Sequence, residues 1–433
     1  MTDALPDSDG IENMSDDPDR HQAPGAHKLG KQVGKQARGN HAQGDHTSGD
    51  PARRFGRREF LAVGALPLAA AIGPARPSTR REPGVIRRSP QAPIRVGLIG
   101  AGANVRSVQL PGFRRIPECE VVAVANRSLA SSQRVASEFG IPRAYANWSE
   151  LLDDDTIDAV LIGTWPYMHS TLTLAALERG KHVLCQARMA NDAQEARDML
   201  DASLRHPDLV CQLVPTSQTY RIDTVLKRLI SEGFPGQVLS VELQRLQTRF
   251  PAVDGELDWR HDREYSGYNT LNIGASYEAM MRWLGRANRV MAMSKVHVPY
   301  RQNDSDEPAS VTIPDHIDIL SELANGAQLH MRASETTGLS TGNQTWIHGT
   351  EGTIYVDRRQ NIFSGRRGDS ELSPVENPQL EQAFYRVEEE FINAIRGVEE
   401  ITMAPFETGV HYMEWTEAAH RSAQSGQAVS LPL

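Results

Sequence analysis

Two glycines, Gly100 and Gly102, follow a short β-branched run in IRVGLIGAGANVRSV, residues 94–108. Such a turn is suited to an anion. Gly100 permits the tight bend and Gly102 lets the backbone approach a pyrophosphate. Gly102, Ala103 and Asn104 open a helix whose free N–H groups and positive dipole end face the ligand. Val105 stands where the third glycine of a G-x-G-x-x-G pattern is expected, so extra bulk enters the helix–strand contact. A second strand, CEVVAVANRS, ends in Asn126, Arg127 and Ser128, about twenty residues past the turn, where an Asp or Glu would bond the ribose 2′-hydroxyl. A carboxylate there repels a 2′-phosphate, whereas an amide, a guanidinium and a hydroxyl accommodate one. NADP(H) is therefore the expected cofactor and NAD(H) the alternative. The plainer reading of Arg127 is a solvated charge after a strand.

Further reactive types cluster at two later strand ends. TWPYMH contributes Thr164, Trp165, Pro166 and His169, and HVLCQARMAND contributes Gln186 and Arg188. Ligands bind beyond the carboxyl ends of parallel strands, so Thr164, Trp165, Pro166, His169 and Gln186 are expected to face a nucleotide. His169 either touches the ligand or caps its helix. Arg188 stays protonated, so it suits an alkoxide, a carboxylate or a phosphate but is no general base. Holding the nucleotide or pairing with a surface acid are its other readings.

These positions depend on the elements around them. SQRVASEFG reads as a helix, DAVLIGTW as a buried strand, and ALERGKHVLC as the end of a helix leading into a strand. Alternating β and α units of this length imply a doubly wound parallel sheet, a Rossmann domain over residues 94–215. VLSVELQRLQTRF and GAQLHMRASETTG alternate like half-buried strands of a second domain over residues 216–433.

Composition excludes some classes. A net charge of −9 argues against a nucleic-acid binder. Cys119, Cys185 and Cys211 show no metal spacing, so no metal is expected. Residues 1–55 are polar and poor in large apolar side chains, which implies a disordered tail whose histidines are solvated. Residues 56–93 hold Arg57 and Arg58 ahead of an apolar stretch from Ala62 to Gly73. That pattern resembles a twin-arginine export signal and implies an exported, periplasmic or envelope location. The stretch is about half the ~20 residues a bilayer span requires, so no stable membrane span is expected.

Taken together, the order of the Gly-rich turn, VAVANRS, TWPYMH and ALERGKHVLC resembles the Gfo/Idh/MocA oxidoreductases (glucose–fructose oxidoreductase, inositol dehydrogenase and rhizopine catabolism). LDWRHDREYSGYNTLNIGASYEAMMRWLG, TWIHGTEGTIYVD and GVHYMEWTEAAHRSAQSGQAVSL extend the resemblance over roughly residues 94–433. It implies an α/β fold: the Rossmann domain is followed by an α/β domain with a large open, mainly antiparallel sheet. One sheet face covers the cofactor and the other often makes a homo-oligomer contact. The closing helix returns to the first domain. The ligand it implies is a small molecule, a sugar, a polyol or a related hydroxy compound, and an aromatic face with charged groups at Trp259, Arg260 and Asp262 suits that. Tyr265 and Tyr268 lie in the loop where substrate often sits.

The resemblance also places a catalytic Lys at Ala187, an Asp at Asn272 and a His at Ser276. None of the three residues present titrates near neutral pH. An altered catalytic set of Arg188, Asn272, Ser276 and Tyr277 is the expectation, with Tyr277 or water handling the proton. Glu278 is expected to pack between domains. Two rival readings stay open: a lyase or glycosidase using a tightly bound nicotinamide transiently, and a non-catalytic sugar-binding protein.

Overall fold

The computed structural model describes residues 92–433 apart from 216–219 and 377–384. The tail and most of the signal-like segment lie outside the described residues.

Six parallel strands form the first sheet: β1 (Ile94–Ile99), β2 (Cys119–Ala125), β3 (Arg143–Tyr145), β4 (Ala159–Ile162), β5 (His182–Cys185) and β6 (Cys211–Leu213). Their order is β3-β2-β1-β4-β5-β6. Helices α1 (Leu110–Arg114), α2 (Leu129–Phe139), α3 (Trp148–Leu152), α4 (His169–Glu178) and α5 (Ala193–Arg205) lie between the strands in sequence. The central strands are buried on both faces, as crossover helices require, and all of β4 (AVLI) is buried. The chain reverses direction across the sheet between β1 and β4, which opens a crevice at their carboxyl ends.

After α6 (Tyr220–Ser231) the chain enters a nine-stranded sheet. Its strands are β7 (Val238–Leu246), β8 (Ala287–Lys295), β11 (His316–Leu323), β12 (Gln328–Ser334), β13 (Gln344–Gly349), β14 (Gly352–Val356), β15 (Ile362–Arg366), β16 (Ser373–Pro374) and β17 (Val429–Ser430). They lie in the order β16-β15-β14-β13-β7-β12-β11-β8-β17. Only β7 and β12 pair in parallel; the other neighbours are antiparallel. A separate pair, β9 (Tyr300–Gln302) and β10 (Pro308–Ser310), stands apart. Helices α7 (Arg263–Ser266), α8 (Ile273–Leu284) and α9 (Val387–Ile395) complete this half.

The closing helix α10 (Phe406–Ser425) ties the two sheets together. Trp415 is fully buried and donates from Nε1 to Ser321 Oγ on β11 at 3.0 Å. Toward the first sheet, Glu417 accepts the Ala193 N–H at 2.9 Å, Arg197 pairs with Glu414 at 2.6 Å, and the Tyr412 hydroxyl accepts the Met189 N–H at 2.5 Å. Gly409 lets this face approach closely, because a Cβ there would come within 2.3 Å of Met189 Sδ and push that side chain aside. Among the described residues, no helix is long and apolar enough to cross a membrane.

Candidate active site

The Gly-rich turn is held at both ends. Gly100 has φ +84°, and a Cβ on it would lie 2.8 Å from the Thr164 nitrogen. Ala101 N–H donates to Asn126 Oδ1 at 2.8 Å. The side chain of Val105, in the third-glycine position, is buried. The space it needs is provided from the other side, because a Cβ on Gly163 would sit 2.4 Å from Val105 Cγ2 and 2.4 Å from Gly100 O. The small residue stands on the strand end facing the helix, so the close approach is kept with Val105 in place.

Gly102 differs from its neighbours. A Cβ there meets nothing within 4 Å. Ala103 and Asn104 beside it are exposed, and a π-helical turn, Val105–Gln109, runs on into α1. The first amides of this helix have no preceding turn to bond, so they are directed at open space. Thr164 Oγ1, beside the turn, is buried and has no partner. Open volume above Gly102, helix N–H groups and an orphaned hydroxyl fit a dinucleotide diphosphate.

The other expected cofactor residues differ in what they do. Asn126 is tethered through its Oδ1 to Ala101 and through its Nδ2 to Ser131 O at 3.3 Å, so it shapes the turn. Ser128 caps α2 by accepting the Ser131 N–H at 3.2 Å. Arg127, exposed, stands at the end of β2. Gln186 donates to Gln109 Oε1 at 2.7 Å and accepts from Asn104 Nδ2 at 3.2 Å, which links β5 to the Gly-rich turn. Trp165 is 39% exposed and stacks on Trp259, with ring centroids 5.6 Å apart. Tyr265 meets Trp165 edge-on at 5.2 Å, and the Arg260 guanidinium covers Trp259 at 4.3 Å.

Two expected ligand contacts are corrected. His169 is completely buried, and its Nδ1 and Nε2 face the carbonyls of Arg188 and Thr164 at 2.8 and 2.9 Å. It neither reaches a ligand nor caps its helix. It braces the β4 and β5 strand ends against each other. Burial pulls its pKa down, and the two carbonyls oppose that without reversing it. Pro166 is also turned inward, at the start of a short 3-10 turn.

Beyond β5 the backbone meets the loop before α8. Tyr268 N–H donates to Asn191 O at 2.8 Å, and Asn269 Nδ2 donates to Ala190 O at 2.9 Å. Gly267 (φ +60°) lies so close that a Cβ would approach Asn191 O to 2.1 Å. This docking brings Arg188 to Asn272, where Arg188 Nη2 donates to Asn272 Oδ1. Leu271 and Asn272 are consecutive non-glycine residues with φ of +47° and +58°, a conformation that costs of order 1–3 kcal/mol per residue and concentrates at functional sites. One helical turn on, Ser276 Oγ donates to Asn272 O at 3.2 Å and accepts from Arg245 Nε at 2.6 Å. Arg188, Asn272 and Ser276 are thus brought together, with Arg245 beside them.

Arg245 was not among the expected site residues. The signal for it lies in β7: Leu239, Val241, Leu243 and Arg245 share one phase of the alternation, and Val241 and Leu243 are buried. A charge on the apolar phase of a strand needs a partner inside.

Tyr277 is a further correction. Helical geometry turns it about 100° from Ser276. It is 1% exposed and stacked on Trp415 at 4.2 Å, and its hydroxyl accepts the Ala287 N–H at 2.7 Å. Burial pushes the phenol up to about 12. It is a core residue and cannot relay a substrate proton. Glu278 is buried and pairs with Arg282, which also holds Asp223 at 2.7 Å.

The family comparisons agree with this geometry. The family model described as "Oxidoreductase family, NAD-binding Rossmann fold" matches residues 94–213, and the GFO/IDH/MocA C-terminal domain matches residues 224–355. Levoglucosan dehydrogenase of Pseudarthrobacter phenanthrenivorans is 27% identical over 309 residues, 64% of this chain and 78% of that protein. D-xylose 1-dehydrogenase (NADP(+)) 2 of Haloferax volcanii is 33% identical over 201 residues, 45% of this chain and 59% of that protein. A solved levoglucosan dehydrogenase complex with NADH and L-sorbose superposes with a TM-score of 0.71 at 23% identity, covering 78% of this chain and 99% of that one. The two family matches run in order and take in more than half of the 433 residues, so the chain belongs to the Gfo/Idh/MocA family of nicotinamide-dependent oxidoreductases.

Proposed function

We propose that the protein is an NADP(H)-preferring oxidoreductase acting on a sugar, a polyol or a related hydroxy or carbonyl compound, with an altered catalytic set. The observation that carries this reading is the proximity of two features. One is a Gly-rich turn with open space above Gly102. The other, joined to it through Gln186 and the strand end that follows, is the cluster of Arg188, Asn272, Ser276 and Arg245. The sugar dehydrogenases among its relatives support the substrate class. Arg127, with no carboxylate beside it among residues 126–128, supports the 2′-phosphate.

The nicotinamide supplies the hydride acceptor or donor when bound. Trp165, stacked on Trp259, offers an aromatic face to a sugar ring. Arg188 remains cationic and stabilises negative charge developing on the substrate oxygen. Neither Asn272 nor Ser276 takes up a proton near neutral pH, so the hydroxyl proton leaves to water. The test is to denature the gently purified protein, identify any released nucleotide, and then follow nicotinamide absorbance over a panel of sugars and polyols with each coenzyme. Turnover with NADP(H) is expected. Ligand binding without reduction or oxidation, or product formation with no net coenzyme change, would refute it.

Two further readings accompany this one. A second copy of the chain is the proposed occupant of the open sheet face. Met291, Leu320, His330, Glu242, Trp346 and Tyr355 follow one another in register across it, and Met291 and Leu320 are 50% and 56% exposed. A Leu320→Asp change is expected to release monomers in light scattering. Export through the Arg57–Arg58 segment is also proposed, and replacing both with Lys is expected to retain the protein in the cytoplasm.

A further inference from the structure

Within the oxidoreductase reading, we infer that Tyr412, Thr416 and His420 of the closing helix are positioning residues that set Arg188 against Asn272. They stand at i, i+4 and i+8 of α10, so they share one side of that helix over two turns. Each meets a different part of the site. The Tyr412 hydroxyl accepts the N–H of Met189, the residue after Arg188, at 2.5 Å. Thr416 faces Gly274 in the first turn of α8, where a Cβ would lie 3.0 Å from Thr416 Oγ1 and 3.4 Å from Tyr412 Cδ2. The Thr416 hydroxyl is folded back on its own helix, donating to Tyr412 O at 2.7 Å, which lets α8 come close. His420 Nε2 meets Thr270 Oγ1 at 2.9 Å, two residues before Asn272.

The turn that carries Asn272 needs such support. Leu271 and Asn272 both hold a left-handed φ without being glycine. That conformation persists only where the surroundings over-determine it. Asn272 stands at the N-cap of α8, where an Asn side chain ordinarily accepts a helix N–H. Here it makes no cap bond and accepts from Arg188 instead. Upstream, Tyr268 N–H and Asn269 Nδ2 donate to Asn191 O and Ala190 O at 2.8 and 2.9 Å. Thr270 comes next and is completely buried. His420 holds its side chain, and its carbonyl accepts the Ile273 N–H at 2.9 Å, which closes the turn around residues 271 and 272.

His420 suits this task. It is 2% exposed, and burial, helped by the positive charge of Arg263, pulls its pKa down to about 4, so the ring stays neutral. The Tyr268 backbone also bonds this ring, and the Tyr268 side chain packs on it with centroids 5.3 Å apart. One imidazole therefore grips residues 268 and 270 together. Tyr412 and His420 are separated by about 12 Å of helix rise. A rigid rod of that length fixes the Arg188 backbone at one end and the Asn272 turn at the other. The three residues act on chemistry only through those two.

The test compares Thr270→Val, which keeps the shape and removes the hydroxyl, with Thr270→Ser, which keeps the hydroxyl, both in the full chain. NADPH affinity, melting temperature and turnover of glucose, xylose, sorbitol and inositol with NADP+ are measured, and Thr270→Val is crystallised. A guanidinium moved off the developing charge loses transition-state stabilisation, so kcat and kcat/KM should fall together, about ten- to a hundredfold, with KM unchanged. NADPH affinity should stay at the wild-type level, and Thr270→Ser should recover most of kcat. In the Thr270→Val crystal Asn272 should leave the left-handed region and part from Arg188. Wild-type kcat in a folded Thr270→Val overturns the inference alone, and so does an equal loss of kcat in the two variants. Failure of the wild-type protein to bind NADPH, or to turn over any of the four compounds, counts against the oxidoreductase reading. The crystal then decides the positioning by itself: an Asn272 unmoved and still bonded to Arg188 overturns it, and a displaced one upholds it.

Discussion

Gly102→Ala and Gly163→Ala form a matched pair of perturbations with opposite expected effects. Both add one methyl to the same turn, and neither glycine has a left-handed φ. At Gly102 the new Cβ meets nothing within 4 Å, so the folded chain accommodates it without strain. Stability should be unchanged or rise by about 0.4–1 kcal/mol through the reduced freedom of the unfolded chain. The same methyl stands where a diphosphate oxygen must approach the helix amides. Losing one hydrogen bond to a charged group costs about 1.5–3 kcal/mol. Coenzyme should then bind roughly ten- to a hundredfold more weakly. At Gly163 the Cβ would lie 2.4 Å from Gly100 O and 2.4 Å from Val105 Cγ2. A backbone oxygen cannot swing aside as a side chain can, so overpacking should cost about 1–3 kcal/mol. Calorimetric melting and NADPH fluorescence titration read both variants. Unchanged affinity in Gly102→Ala would refute the placement of the diphosphate. A fall in its melting temperature as large as that of Gly163→Ala would refute the reasoning about open space.

Three other outcomes follow from the same structure. Tyr277→Phe leaves the Ala287 N–H buried without its 2.7 Å acceptor; it should cost about 1–3 kcal/mol of stability, seen in urea unfolding, with no change in the pH–rate profile of any turnover. Arg127→Gln should weaken NADPH several-fold while leaving NADH unchanged, and equal losses for both coenzymes would remove Arg127 from the 2′-phosphate. Glu388 is buried, and desolvation raises its carboxyl to about 7. A carboxyl raised on folding contributes stability that is complete below its unfolded value near 4.5 and is lost as pH climbs through about 7. Glu388→Gln should therefore flatten the melting temperature between those limits and raise it above pH 7, by on the order of 2–3 kcal/mol in stability.

The first half of the fold was legible because each of its signals is local. A β-branched run, a glycine pair and a helical pattern open the segment, strand and helix patterns then alternate along residues 94–213, and a parallel sheet follows from that order. The second sheet was legible as alternation, although the parallel pairing of β7 with β12 has no signature in either strand. The site was less legible, since it depends on contacts between distant segments. Tyr277 read as a proton carrier by residue type, yet helical phase sends it into Trp415. His169 read equally as a ligand contact or a helix cap because it follows a strand end and opens a helix, but its ring turns inward to two carbonyls. Arg245 went unnoticed because the strand around it alternates correctly, and only its phase marked it as an inward charge. Val105 looked like a weakened fingerprint, while the compensating Gly163 lay 58 residues on, in another strand end.

The most direct measurement is a crystal structure of the full chain grown with excess NADPH. The expected result is a diphosphate whose oxygens accept from the N–H groups of Gly102, Ala103 and Asn104, with the nicotinamide reaching toward Arg188. A dinucleotide bound elsewhere, or a crevice that stays closed by protein side chains at saturating coenzyme, would contradict the assignment.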